Sequence, residues 1–142
     1  MREYRGNLWD TMAGGICITT NGYVKPNGRA VMGRGCALEA KERIPGIDKI
    51  LGRVIKSQGN HVFPLIEYNR YMVYSFPVKH NWWEKADIEL IKRSCQELCK
   101  FVYDGRVIVL PRPGCGNGRL KWENVKPVIE PLLTNNVVVV YK

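Results

Sequence analysis

Two glycine-bearing segments and one lysine concentrate the chemistry of this 142-residue chain. The first segment, Val31-Met32-Gly33-Arg34-Gly35-Cys36-Ala37, runs directly into an expected helix. Glycines let backbone N–H groups close on a ligand, and a helix N-terminus adds partial positive charge, so phosphate is the natural guest. The spacing is not a dinucleotide fingerprint, because Leu38 occupies the third glycine position, and no Gly-Lys-Ser/Thr follows as in a Walker A loop. Taken alone, this segment reads more readily as an ordinary tight turn than as a phosphate loop.

The second segment is Pro113-Gly114-Cys115-Gly116-Asn117-Gly118, immediately after the apolar run Val107–Pro111. A turn requires one or two glycines. Three in alternation imply backbone wrapped around something, with N–H groups forming an anion-binding concavity. Both segments in one small basic chain favour a diphosphate-bearing ligand. Lys79 lies in Ser75-Phe76-Pro77-Val78-Lys79-His80-Asn81-Trp82-Trp83, and on residue type alone it is an ordinary solvated lysine. His80 is equally a proton carrier or a loop hydrogen-bonder. Trp82 and Trp83 are candidates to stack on a base or ribose or to form a lid, with at least one expected in the core. His61 reads as structural, Cys36 and Cys115 as small space-fillers, and Lys41, Arg43, Lys49, Arg53 and Lys56 as solvated helix faces.

The elements that must position these groups alternate between strand and helix. Strands are expected at Tyr4–Trp9, Gly15–Thr20, Val107–Leu110 and Val137–Tyr141, with a hairpin of His61–Tyr68 and Tyr71–Phe76 turning at Asn69-Arg70. Helices are expected at Gly35–Arg43, Ile47–Ser57, Ala86–Tyr103 and Trp122–Leu133. Pro127 fits a first helical turn, and Pro131 should kink or end the last helix. Such alternation predicts an α/β layered domain with a mixed sheet, whose ligands bind beyond the carboxyl ends of the strands.

Composition narrows the classes. Lys and Arg number 22 against 13 Asp and Glu, a net charge of +9 that calls for an anionic partner, either a phosphorylated small molecule or nucleic acid. No apolar run approaches a membrane span, and Met1–Thr20 lacks a signal layout, so a cytoplasmic chain is expected. The five cysteines form neither a CxxC pair nor a Cys/His zinc pattern, which predicts reduced thiols and no structural zinc. Nothing in the residues calls for a metal or cofactor, and the absence of a coiled-coil pattern favours a monomer.

Val31–Ala37 resembles the first phosphate loop of macro domains. Arg112-Pro113-Gly114-Cys115-Gly116-Asn117-Gly118-Arg119-Leu120-Lys121-Trp122-Glu123-Asn124-Val125 resembles the second loop of one branch, which holds the terminal ADP-ribose protein glycohydrolase and the DNA ADP-ribosyl glycohydrolase antitoxin DarG. The resemblance extends from Gly6-Asn7-Leu8 to the last strand. It implies a three-layer α/β/α fold with a central mixed, mostly parallel sheet, as a single macro domain over residues 1–142. ADP-ribose would lie with its diphosphate between Met32, Gly33, Arg34, Gly35, Cys36 and Ala37 on one side and Pro113, Gly114, Cys115, Gly116, Asn117 and Gly118 on the other. Asn7 replaces the Asp that contacts adenine in many members and retains an acceptor, with Leu8 beside the base. Asn21 matches the position facing the distal ribose, although an Asx turn at Asn21-Gly22 is an equal alternative.

The same resemblance makes Lys79 the catalytic residue, acting at the anomeric carbon either as a Schiff-base nucleophile or by stabilising charge and orienting water. Gly118 departs from the protein glycohydrolase, which has an acid there. Release from glutamate is therefore in doubt, whereas DNA-linked ADP-ribose stays open, and the charge leans the same way. The leading expectation is an ADP-ribosyl hydrolase acting on a modified macromolecule, DNA favoured. The alternatives are a non-catalytic ADP-ribose reader or sequestering protein, an ADP-ribose 1″-phosphate phosphatase, and, last, a basic nucleic-acid module that leaves the glycine loops unexplained.

Overall fold

The computed structural model describes residues 1–11 and 13–142. Its strands are β1 (Arg2–Arg5), β2 (Gly15–Asn21), β3 (Pro64–Tyr68), β4 (Tyr71–Lys79), β5 (Ile108–Pro111) and β6 (Val137–Tyr141). They form one sheet in the order β1-β6-β5-β2-β4-β3. Every neighbouring pair is parallel except β3 with β4, giving the expected mixed, mostly parallel sheet. The helices are α1 (Gly35–Arg43), α2 (Ile47–Gln58), α3 (Ile88–Leu98) and α4 (Trp122–Ile129).

Period-two alternation divides the strand side chains between two cores. Ile16 and Ile18 of β2 and Val73 of β4 pack with Ala37 and Ala40 of α1 and Ile47 and Leu51 of α2. Cys17, Phe76 and Val78 point the other way, against Ile91, Cys95 and Leu98 of α3 and Val125 and Ile129 of α4. Burying each of these larger side chains is worth about 1.5–3 kcal/mol, which holds a helix layer on each face of the sheet.

Several element boundaries differ from expectation, each for a local reason. β1 ends at Arg5 rather than Trp9, because the Asn7 side chain accepts the Trp9 N–H and turns Leu8–Asp10 into a 3-10 turn. The first strand of the hairpin starts at Pro64, not His61, and its turn at Asn69 (φ 50°) and Arg70 (φ 70°) has the left-handed backbone that a tight hairpin demands. β4 continues past Phe76 to Lys79. Pro77 is tolerated there because β3 pairs no further along β4 than Tyr74, so the missing N–H costs no ladder bond on that edge. α3 begins only at Ile88, where Asp87 caps it by accepting the Glu89 N–H at 2.9 Å, and it tightens into a 3-10 turn at Cys99–Phe101. Pro127 lies inside α4 rather than in its first turn, depriving the Glu123 carbonyl of its helical partner; Pro131 falls where the helix ends, as expected.

The connections that matter leave adjacent strands toward opposite faces. β2 and β5 pair at Gly15–Ile108 and Ile16–Val109. Beyond its carboxyl end β2 leads to α1 in the first core, and β5 leads to α4 in the second. Diverging connections from neighbouring parallel strands open a crevice between them. The loop leaving β2 is braced from below. The Ala30 N–H donates to the Asp48 carbonyl at 2.9 Å, and a Cβ on Gly52 of α2 would stand 2.0 Å from the Gly28 carbonyl oxygen. Asp48, 2% exposed, accepts Arg29 Nη1 at 2.9 Å and its neighbour's N–H at 3.0 Å.

Candidate functional site

The crevice is a cleft of about 1830 Å³ across the carboxyl ends of the parallel strands. Its walls are the two glycine segments. They approach so closely that a Cβ on Gly35 would lie 3.6 Å from Asn117 Nδ2. Gly35 (φ 59°) and Gly114 (φ 77°) take left-handed backbone conformations that other residues rarely adopt. Gly33 and Gly116 have no atom within 4 Å of where a Cβ would project, so their backbone is open to a guest. α1 offers first-turn N–H groups at Gly35, Cys36 and Ala37 that are unpaired among the described residues; the first internal bond runs from the Leu38 N–H to the Arg34 carbonyl. In the second loop, among the described residues, the N–H groups of Gly116, Asn117 and Gly118 donate to no protein acceptor. Seven basic side chains against three acidic ones line the cleft, so the field and the free N–H groups both favour an anion.

Most of the expected site residues meet here: Leu8, Asn21, Met32 through Ala37, Lys79, and Gly114 through Gly118 all line the cleft. Asn7 and Pro113 do not. The Asn7 side-chain oxygen Oδ1 is occupied by the Trp9 N–H, and Pro113 is buried. Asn21 forms the alternative Asx turn, accepting the Tyr23 N–H at 3.0 Å while its Nδ2 donates to the Val31 carbonyl. It thus ties the end of β2 to the first glycine loop.

Lys79 is the last residue of β4, paired with Asn21 across a bulge that shifts the register after Thr20. Its carbonyl accepts Asn60 Nδ2 at 3.0 Å, and its Nζ donates to the Trp82 carbonyl at 3.3 Å. Partial burial, then the positive charges of Arg119 and Arg34, hold its ammonium pKa below the usual lysine range. A side chain that sequence alone reads as solvated therefore gives up its proton at a lower pH than a fully solvated lysine does.

His80 resolves to the loop-bonding alternative. Its Nε2 lies 2.8 Å from the Asp87 carboxylate, and it is not part of the cleft wall. Trp82 and Trp83 are 51% and 56% exposed, so neither is the core residue that was expected. His61 contacts the Glu97 carboxylate at 2.6 Å, outside the cleft. Burial raises the Cys36 and Cys115 thiols above their ordinary range, which fits space-fillers rather than nucleophiles.

The Gly118 position is sterically closed. A Cβ there would lie 2.5 Å from the Gly114 oxygen and 2.8 Å from the Ala86 Cβ, so this loop has no room for an acid at that point.

Three features escaped sequence reasoning. Arg119, with φ 65°, directs a cation to Lys79 from the end of the second loop. Arg112 is stacked between Tyr141 and Trp122, 4.1 and 4.9 Å from their ring centres, where β6 meets the cleft. Thr20 Oγ1 is buried in the cleft wall without a hydrogen-bond partner among the described residues. The rule that strand carboxyl ends carry ligands would have flagged Tyr141 and Thr20; no sequence signal marks the backbone of Arg119.

No family model matches the chain. Over 141 residues it is 27% identical to the DNA ADP-ribosyl glycohydrolase of Thermus aquaticus, covering 94% of this chain and 38% of that protein. Over 101 residues it is 32% identical to the ADP-ribose glycohydrolase OARD1 of Bos taurus, covering 70% of this chain. The chain thus spans 38% and 64% of these two curated relatives. The macrodomain of Thermus aquaticus DarG superposes with a TM-score of 0.79 at 27% identity, covering 99% of this chain and 97% of that one. The Thermosipho africanus DarTG structure in complex with ADP-ribose superposes at 0.79 and 18% identity, over 99% of this chain and 42% of that one. Fold, loops and these likenesses agree, and the chain is a macro domain related to DarG and OARD1.

Proposed function

We propose that this macro domain binds ADP-ribose in the cleft and hydrolyses it from a modified macromolecule, with DNA-linked ADP-ribose the favoured substrate. The observation that carries the reading is Lys79, with its depressed pKa, standing between the two glycine loops at the end of β4. The diphosphate would take the free N–H groups of the α1 N-terminus and of Gly116 to Gly118. Leu8 would border the base and Lys79 would face the distal ribose, while Asn21 ties the end of β2 to the first glycine loop.

Lys79 then has two possible roles. As a neutral amine it adds to the anomeric carbon while the bond to the macromolecule breaks, the departing group keeping the electron pair and taking up a proton, and the ribose ring oxygen then leaves the same carbon with its electron pair to give a protonated Schiff base. Water next adds to the same carbon and the amine leaves, giving free ADP-ribose. As a cation it instead stabilises the departing charge and orients the water. Cyanoborohydride trapping of a covalent adduct identifies the first. The closed Gly118 position gives an adduct no acidic partner, which supports a DNA linkage over glutamate. So does the net charge of +9. The names of the relatives, a DNA ADP-ribosyl glycohydrolase and an ADP-ribose glycohydrolase, also support hydrolysis. On this reading the domain acts as a cytoplasmic monomer; no helix among the described residues is long and apolar enough to cross a membrane.

The test pairs wild type with Lys79→Ala on ADP-ribosylated DNA and on glutamate-linked ADP-ribosyl protein, with ADP-ribose calorimetry alongside. Release by wild type, lost in Lys79→Ala with binding retained, is expected. Binding without release from either substrate makes the chain an ADP-ribose reader. Release of phosphate from ADP-ribose 1″-phosphate that survives Lys79→Ala makes it a phosphatase.

A further inference from the structure

Two tryptophans stand more than half exposed on the rim of the cleft, beside the lysine. Leaving so much aromatic surface in water forfeits hydrophobic stabilisation, so it calls for a reason. Their loop is built rather than loose. Asn81 Nδ2 donates to Glu84 Oε1 at 2.8 Å, and the Glu84 N–H returns to the Asn81 carbonyl at 3.2 Å. His80 is tied to Asp87 at 2.8 Å, and its carbonyl accepts the Gly22 N–H at 3.1 Å. Trp82 and Trp83 meet edge to face at 5.5 Å, and Tyr23 meets Trp83 in the same manner at 5.6 Å. Edge contacts of this kind stiffen the rings while leaving broad faces uncovered. The Trp82 carbonyl accepts Lys79 Nζ, which ties the lysine to this aromatic rim. Arg34 and Arg119, both exposed, supply positive charge at the same end.

We infer that Trp82 and Trp83, braced by Tyr23, form a stacking platform for an unpaired base next to the ADP-ribosylated nucleotide. The inference rests on the hydrolase reading and deepens it. Aromatic faces hold unstacked bases, and the duplex hides those faces. The arginines match the flanking phosphates, a pairing that a glutamate-linked protein substrate does not offer. Stacking is worth enough per base that losing both rings lowers oligonucleotide affinity about ten-fold or more.

The experiment uses wild type, a Trp82→Ala/Trp83→Ala double variant and a Trp82→Phe/Trp83→Phe double variant. Probes are an ADP-ribosylated single-stranded oligonucleotide, the same oligonucleotide annealed to its complement, the ADP-ribosylated nucleoside alone, and an ADP-ribosylated peptide. Binding is followed by fluorescence anisotropy and release by kcat/KM. The Ala variant should lose about ten-fold or more on the single strand and nothing on the nucleoside, with the Phe variant largely restored. Annealing should weaken wild type but not the Ala variant. Unchanged ADP-ribose affinity reports an intact fold. Equal loss on oligonucleotide and nucleoside, no loss on either, or loss confined to the peptide overturns the platform. Should wild type release ADP-ribose from nothing, the hydrolase reading fails while the anisotropy arm still decides the platform.

Discussion

The glycines of the second loop should separate into two kinds when each receives a single methyl group. Gly118 has no left-handed backbone requirement, so the cost of Gly118→Ala is steric alone. Its Cβ would stand 2.5 Å from the Gly114 oxygen and 2.8 Å from the Ala86 Cβ, and neither neighbour is the end of a flexible side chain. Relief requires moving the Gly114 carbonyl away from the Leu120 N–H that it holds at 2.9 Å, or moving Ala86, whose N–H donates to the Gly118 carbonyl at 3.0 Å. Weakening one such bond costs about 1 kcal/mol, and overpacking adds about 1–3. The sum is about 2–4 kcal/mol. With an unfolding entropy of about 2.1 cal/mol/K per residue, a chain of this length loses roughly 7–13 °C in Tm.

Gly116→Ala is the counterpart. With no atom within 4 Å, its methyl enters open space at a residue that lines the cleft. Stability should stay within about 0.5 kcal/mol, while ADP-ribose affinity falls about ten-fold, equivalent to about 1.4 kcal/mol. Urea titration and calorimetry on the two variants read both effects. A Gly118→Ala protein as stable as wild type, or a Gly116→Ala protein that binds ADP-ribose undiminished, would refute the assignment of shape to one glycine and access to the other.

Two further outcomes follow from charges around the cleft. Because burial, Arg119 and Arg34 depress the Lys79 pKa, neutral amine is available at lower pH than for a solvated lysine. Release through the amine route should therefore rise with pH and level off once that depressed pKa is passed. Arg119→Ala removes one cation and raises the pKa, so the rising limb should move to higher pH; a profile left in place contradicts the electrostatic account. Arg29→Ala strips the Asp48 carboxylate of its ion-pair partner at 2.9 Å and should cost about 2–3 kcal/mol in urea denaturation, with Arg29→Lys recovering part. No loss would mean that Asp48 does not brace the first glycine loop through its charge.

The sequence by itself settled the parts governed by local rules. Glycine and proline punctuation together with alternating apolar residues located α1 and β6 residue for residue, and turn chemistry placed the hairpin at Asn69-Arg70. The two glycine loops were legible because a missing Cβ is written in the residue type. What needed tertiary structure was every property set by neighbours distant in the chain. Lys79 shifts its pKa because β4 runs to its position and two loops aim arginines at it. Asn7 is withdrawn from the cleft by a hydrogen bond to Trp9. Both tryptophans stay in water because a short hydrogen-bonded loop holds them beyond the end of the sheet. Gly118 is closed to a side chain by Gly114 and Ala86, which only the folded loop brings together. Residue type and spacing determine which groups are available, but burial and charge at a point are sums over space, and the fold alone fixes those sums.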